Sequence, residues 1–241
     1  MAVAMQVREI RNGLWQWTAP HPDWRPGKGG AGGWEEEVAC VFHERPGASA
    51  VVVIDPLIPA SGADRETFFA ALERDLDRCG LPLAILLGNH HHERSARELY
   101  ERYRLTRGAS VWVSRAAIGR VETGITRPFL PGEPLPCGIE THALPGLEDT
   151  EIAYFLPAAQ TLVFADAVLG AGGGRLRVAP ESWSTGTPEG IARYKADFRP
   201  ALRRLLDLDV EAVLVSHGDS VTTGGRRALA EALEAPAWGE A

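Results

Sequence analysis

The run Ala50-Val51-Val52-Val53-Ile54 is apolar at every position and stops abruptly at Asp55-Pro56. β-Branched side chains are stiff at χ1 and pack well on a pleated surface. A strand without a polar face has to be covered on both sides, so this segment demands a layered fold with a sheet in its interior. Proline cannot donate to the ladder, which ends the strand and leaves Asp55 at its exit. Further short β-rich runs follow the same logic: Val38 to His43, Ala84 to Leu87, Val111 to Val113, Ile152 to Leu156, Leu162 to Ala165 and Ala212 to Ser216. Helical patterns alternate with them, which is the signature of an α/β protein.

The segment Asp64 to Cys79 places Phe68, Phe69, Leu72 and Leu76 on one helical stripe, with Asp64 as N-cap and Gly80 just past the end. Ser95 and Glu98 have capping-box spacing, so a second helix is expected from Ala96 with Leu99 and Tyr100 inward. Thr187-Pro188-Glu189 opens a third helix with Ile191, Tyr194 and Phe198 inward, which Pro200 should kink or divide. A last helix spans about Arg226 to Leu233. The longest irregular stretch, Thr18 to Trp34, is rich in glycine and, with Trp17, Trp24 and Trp34 around it, reads as an ordered flap. Gly170-Ala171-Gly172-Gly173-Gly174 lacks the Lys-Ser/Thr ending of a phosphate loop and reads as a turn between strands.

At 241 residues, with 45% hydrophobic and 24% charged residues, the chain has the balance of a globular protein, and residues 1–241 are expected to form one domain. No stretch approaches the roughly 18 apolar residues of a membrane helix, and no secretory signal pattern opens the chain. A cytoplasmic protein without membrane partners is the expectation. A formal charge of −7 argues against general nucleic-acid binding, which requires clustered cations to neutralise phosphates. Cys40, Cys79 and Cys137 are far apart and odd in number, which supports neither a disulfide framework nor a Cys-x-x-Cys knuckle.

Chemistry concentrates at three strand ends. The first is Leu87-Gly88-Asn89-His90-His91-His92-Glu93-Arg94, with three of the seven histidines of the chain in a row. If this turn stays extended, residues two apart share a face, so either His90 with His92 or Asn89 with His91 points at one site. The second end is Phe164-Ala165-Asp166 and the third is Val215-Ser216-His217-Gly218. Ligands of α/β folds gather beyond the carboxyl ends of strands, and imidazole and carboxylate are the usual protein donors to divalent metals. Asn89, His90, His92, Arg94, Asp55 and, from the flap, His21 are expected to line the same pocket. Ser216 precedes His217, but no Gly-x-Ser-x-Gly elbow is present and a serine hydrolase is rejected.

The order of Asp55-Pro56, the His-rich turn into a helix, Pro145-Gly146, Asp166 and His217-Gly218 resembles the metallo-β-lactamase superfamily over nearly the whole chain. The resemblance implies a four-layer αβ/βα sandwich with metals, usually zinc or iron, along one edge of the two sheets. The His-x-His-x-Asp-His motif of that superfamily aligns with Asn89 to Arg94, so His91 keeps a ligand position and Glu93 replaces the aspartate. Asn89 and Arg94 replace two histidines, and Leu147 stands where Pro-Gly-His would supply another. Asp166 and His217 match. By resemblance, the metal ligands are His91, Glu93, Asp166 and His217, with Asp166 also catalytic, and a two-metal site in the usual geometry is not expected.

Two functions follow as expectations. One is a hydrolase-like protein with a reduced site holding one divalent metal (zinc, iron or manganese) or none, acting on a small molecule. The other is a catalytically silent protein that binds a small anionic ligand through Arg94 and the helix N-terminus that follows it.

Overall fold

The computed structural model describes residues 5–28, 33–60, 62–124, 127–147, 149–184 and 187–239. Seven strands form the first sheet in sequence order: β1 (Val7–Arg11), β2 (Leu14–Pro20), β3 (Glu37–His43), β4 (Val51–Ile54), β5 (Leu83–Leu86), β6 (Ser110–Ser114) and β7 (Arg127–Phe129). The first four pair antiparallel and the last four parallel. Helix α1 (Gly62–Cys79) connects β4 to β5, and α2 (Ala96–Tyr103) connects β5 to β6. Strands β8 (Glu140–Ala143), β9 (Ile152–Leu156), β10 (Thr161–Phe164) and β13 (Ala212–Val215) make the second sheet in the order β13-β10-β9-β8. A separate hairpin joins β11 (Val168–Gly170) to β12 (Leu176–Val178) across the glycine turn. Helices α3 (Pro188–Arg193), α4 (Arg199–Arg204) and α5 (Gly225–Glu234) complete the chain.

Alternation along the apolar strands explains the layering. Val51 and Val53 of β4 pack against α1 and α2 with Phe68, Leu72, Leu76 and Leu99. Val52 and Ile54, on the opposite face, meet Tyr154, Val163 and Leu214 of the second sheet. In that sheet Leu162 and Phe164 of β10 turn outward onto Phe198, Leu202 and Leu229. Each buried aliphatic or aromatic side chain contributes roughly 1.5–3 kcal/mol of transfer free energy. The three cores therefore stack helix, sheet, sheet and helix into an αβ/βα sandwich. No helix of the described residues is long and apolar enough to cross a membrane.

Several local expectations are corrected. Helix α1 begins at Gly62, ahead of Asp64, whose carboxylate accepts a hydrogen bond from the Met5 amide at 2.9 Å. Ser95 precedes α2 but does not cap it: its hydroxyl accepts from Ile58 N at 2.9 Å, while Glu98 pairs with Arg65. Long-range partners thus replaced the local box. Thr187 does cap α3, accepting from Gly190 N at 3.0 Å. The discontinuity before Pro200 is one π-helical turn, Tyr194–Phe198, that links α3 to α4. The stretch expected to be irregular from Thr18 starts as strand up to Pro20, and its Gly29, Gly30 and Gly32 lie outside the described residues.

Candidate metal centre

The carboxyl ends of β4, β5, β10 and β13 meet at one edge of the sandwich, where main-chain bonds hold the two sheets together. Ile152 N donates to Gly88 O at 2.8 Å and Ala39 N donates to Ser216 O at 2.8 Å. Tyr154 Oη donates to Leu87 O at 2.6 Å. Gly88 is needed for this approach, because a Cβ there would stand 2.8 Å from Ala165 Cβ and 2.9 Å from Asp55 Oδ2.

The turn after β5 is a short 3₁₀ helix, His90–Glu93, capped by Asn89, whose Oδ1 accepts from His91 N at 2.8 Å and His92 N at 3.1 Å. In 3₁₀ geometry residues three apart are eclipsed. Asn89 and His92 consequently share the inward face, a pairing that neither extended register offers. His92 is buried, its Nε2 3.2 Å from Asp166 Oδ1 and its Nδ1 2.8 Å from Asp55 Oδ2. His217 is buried too, with Nε2 3.2 Å from the same Asp166 oxygen. Asn89 Nδ2 donates to Asp166 Oδ2 at 2.8 Å.

The structure therefore gathers Asp166 and His217 with His92, and does not bring His91 or Glu93 into that group. His91 is exposed at the cavity wall, its ring 3.8 Å from that of His90. His90 Nδ1 lies 2.8 Å from Thr150 Oγ1. Glu93 points the other way, accepting from Glu122 N at 2.8 Å and from the amide and hydroxyl of Thr123. Among the described residues, one group of three or more potential donors lies close enough to share an ion: His92, Asp166 and His217, with their ligand atoms within 4.8 Å of one another.

Arg94 borders this cluster. Its Nη2 donates to Ser216 Oγ at 2.9 Å and stands 3.2 Å from His92 Nε2, while Nη1 donates to Asp55 O at 3.1 Å. Its Nε is buried without a partner. The backbone is at φ 38°, ψ −115°, a conformation that costs a non-glycine residue on the order of 1–3 kcal/mol and persists only where its surroundings enforce it.

Glu151 is a participant that no sequence motif announced. Its buried carboxyl accepts from Asp166 N and Ala167 N, each at 2.9 Å, and from Asn89 Nδ2 at 2.8 Å. Burial and the adjacent Asp166 push its pKa up to about 8. For Asp166, burial is outweighed by the His92 and His217 imidazoles, which hold the carboxyl well below the usual range. Burial and Arg94 press His92 toward neutrality, but Asp166 and Asp55 prevail and raise it to about 9. Asp166 thus favours a proton on Nε2 and Arg94 a lone pair, and two carboxylates outweigh one guanidinium. His217 is lowered, chiefly by burial.

A cavity of about 780 Å³ opens above the cluster, lined among others by His21, Lys28, Trp34, Leu57, Leu147 and Trp183. Trp34 lies over His217 with ring centres 4.7 Å apart and is met edge-on by His21 at 5.2 Å. Trp24 Nε1 donates to Trp34 O at 2.7 Å, which ties the flap together. His21, half-buried near Arg94, is lowered to about 4. Leu147, the residue after Pro145-Gly146, is a core side chain here.

The donor types and spacing fit one divalent ion. Both imidazole Nε2 atoms lie 3.2 Å from Asp166 Oδ1, close to the edge of a tetrahedral site with bonds near 2.0–2.2 Å, and all three donors lie within 4.8 Å of one another. The Asp55 carboxylate on His92 Nδ1 stands where an outer partner would orient a ligating imidazole. Arg94 is the feature that opposes an ion.

No protein-family model matches the chain, and no curated protein matches it. Solved structures do. It is similar to DIM-1 metallo-β-lactamase exposed to ceftazidime, with a TM-score of 0.64 and 12% identity over 97% of this chain and 98% of that one. A β-lactamase domain protein from Burkholderia ambifaria follows with a TM-score of 0.61 and 19% identity over 96% and 76%. The mono-zinc form of FIM-1 from Pseudomonas aeruginosa gives a TM-score of 0.60 and 14% identity over 97% and 96%. At such identities the shared property is the course of the backbone, and the chain has the metallo-β-lactamase fold.

Proposed function

We propose that the protein is a hydrolase-like enzyme of reduced metal content, in which His92, Asp166 and His217 hold a single divalent ion beneath a small-molecule pocket. The observation that carries this reading is the placement of both imidazole Nε2 atoms 3.2 Å from Asp166 Oδ1, with Asp55 on the far side of His92. A bound ion would supply a Lewis acid and a water acidified to a pKa of about 7. The residues of the chain do the rest. Asp166 would supply the carboxylate ligand through Oδ1, and its Oδ2 is fixed by Asn89 Nδ2 at 2.8 Å. Glu151 fixes the backbone beneath it by accepting from Asp166 N and Ala167 N. Trp34 covers His217 and limits water at the floor of the pocket. The fold neighbour crystallised in a mono-zinc form supports one-ion occupancy of such a scaffold.

Elemental analysis of untagged protein purified without chelator tests the proposal. A near-stoichiometric ion, lost in Asp166→Asn and His217→Gln, is the expected result. No ion retained and none taken up on titration with zinc, iron or manganese overturns it.

A second reading is favoured by Arg94, whose guanidinium borders the cavity floor. In it the site is metal-free and catalytically silent, and binds the carboxylate or phosphate of a small molecule. Binding of such a ligand by ion-free protein, abolished in Arg94→Met, is its signature.

A further inference from the structure

Arg94 is held where it obstructs the use of His92 as a ligand. Its guanidinium is docked at two fixed acceptors, Ser216 Oγ and Asp55 O, and so brings Nη2 within 3.2 Å of His92 Nε2, the one atom through which His92 could ligate. The His92 ring cannot turn away, since its other nitrogen is held by Asp55 at 2.8 Å. Two further features mark the docked position as one the side chain can leave. Nε is buried without a partner, and the side chain lines a cavity with room to receive it.

We infer that Arg94 is a cation gate: the guanidinium docked on Ser216 and Asp55 closes the His92 edge of the centre, and its withdrawal into the pocket admits a divalent ion. Two cations then compete for one edge of the same carboxylate-rich site, since an ion on His92 and Asp166 would face the guanidinium across a short, poorly solvated gap. A ligand carboxylate or phosphate in the cavity would draw Arg94 outward and so promote loading of the ion, making metal and ligand binding mutually favourable. The gate rests on the single-ion reading above, and its experiment separates the two.

The probe is zinc, titrated into ion-free protein against a chromophoric chelator. Variants are Arg94→Met, which keeps the aliphatic bulk without the charge, and Arg94→Lys, which keeps a charge but cannot span both anchors. Lys28→Met removes another cation lining the cavity. The gate predicts one site in every protein and zinc affinity at least about tenfold tighter in both Arg94 variants, while Lys28→Met stays within about twofold; tenfold corresponds to 1.4 kcal/mol. Wild-type affinity in a cooperatively folded Arg94→Met or Arg94→Lys protein overturns the gate and leaves the single-ion reading intact. An equal gain in Lys28→Met also overturns it, because the effect would then be general electrostatics. Absence of zinc binding in all four proteins overturns the single-ion reading together with the gate.

Discussion

At the scale of the residue, the ion-free site ties stability to pH through His92. Its folded pKa, about 9, lies above the ordinary 6.5, so the stabilisation is full below pH 6.5 and is lost as pH rises through 9. Glu151 acts in the same direction: raised from 4.5 to about 8, it loses its contribution as it ionises in the fold. Asp166 has the opposite sign, because its depressed pKa stabilises above the ordinary carboxylate range and is lost on acidification. Ion-free protein should therefore lose up to about 3 kcal/mol between pH 6.5 and 9 from His92. Chemical denaturation across that range checks this, and His92→Gln should flatten the slope. Glu151→Ala should cost about 3 kcal/mol or more, since two amides and the Asn89 side chain lose a buried acceptor. Glu151→Gln keeps one acceptor oxygen and should recover part of the loss, measured by urea unfolding.

At the scale of the element, the 3₁₀ turn His90–Glu93 decides which side chains enter the site. The sequence located this turn correctly, at the end of an apolar strand and the mouth of a helix. An extended reading of the turn, however, pairs residues two apart, whereas the Asn89 cap winds the turn so that residues three apart coincide. Glu93 consequently faces the 121–124 segment. Glu93→Ala is expected to leave zinc uptake unchanged while hydrogen exchange at the Glu122 and Thr123 amides accelerates at least tenfold, about 1.4 kcal/mol of lost protection. Loss of zinc binding in that variant would restore Glu93 to the ligand set. The flap was legible only as a long stretch rich in glycine and aromatic residues. Its closure over His217 depends on Trp34, whose neighbours His21 and Trp24 come from the other side of the loop.

At the scale of the molecule, the site exists because two sheets present their strand ends to each other. Tyr154 bridges them through Leu87 O, and Tyr154→Phe should cost about 1–2 kcal/mol in a denaturant melt, the price of a buried hydrogen bond. The same change should weaken zinc binding only slightly, because main-chain bonds at Ser216 and Gly88 still hold the edge together.

Length of apolar run, β-branching and the punctuation of Asp-Pro, Gly and Asn were enough to locate the interior strands, most helices and all three chemical strand ends. They also determined that Asp166 and His217 stand at those ends, since a strand's terminus is a local property. Which of three adjacent histidines would face them was not local. It depended on φ/ψ angles set by the Asn89 cap, on Asp55 reaching His92 from another strand, and on Glu151 orienting Asp166 from the second sheet. The cap bonds are local, but Asp55–His92, Glu151–Asp166 and Asn89–Asp166 join residues 37, 15 and 77 positions apart, and these form only once the sheets have packed. Side-chain direction in a turn is settled by such contacts, which is why the place of the site was written in the sequence and its ligand set in the tertiary structure.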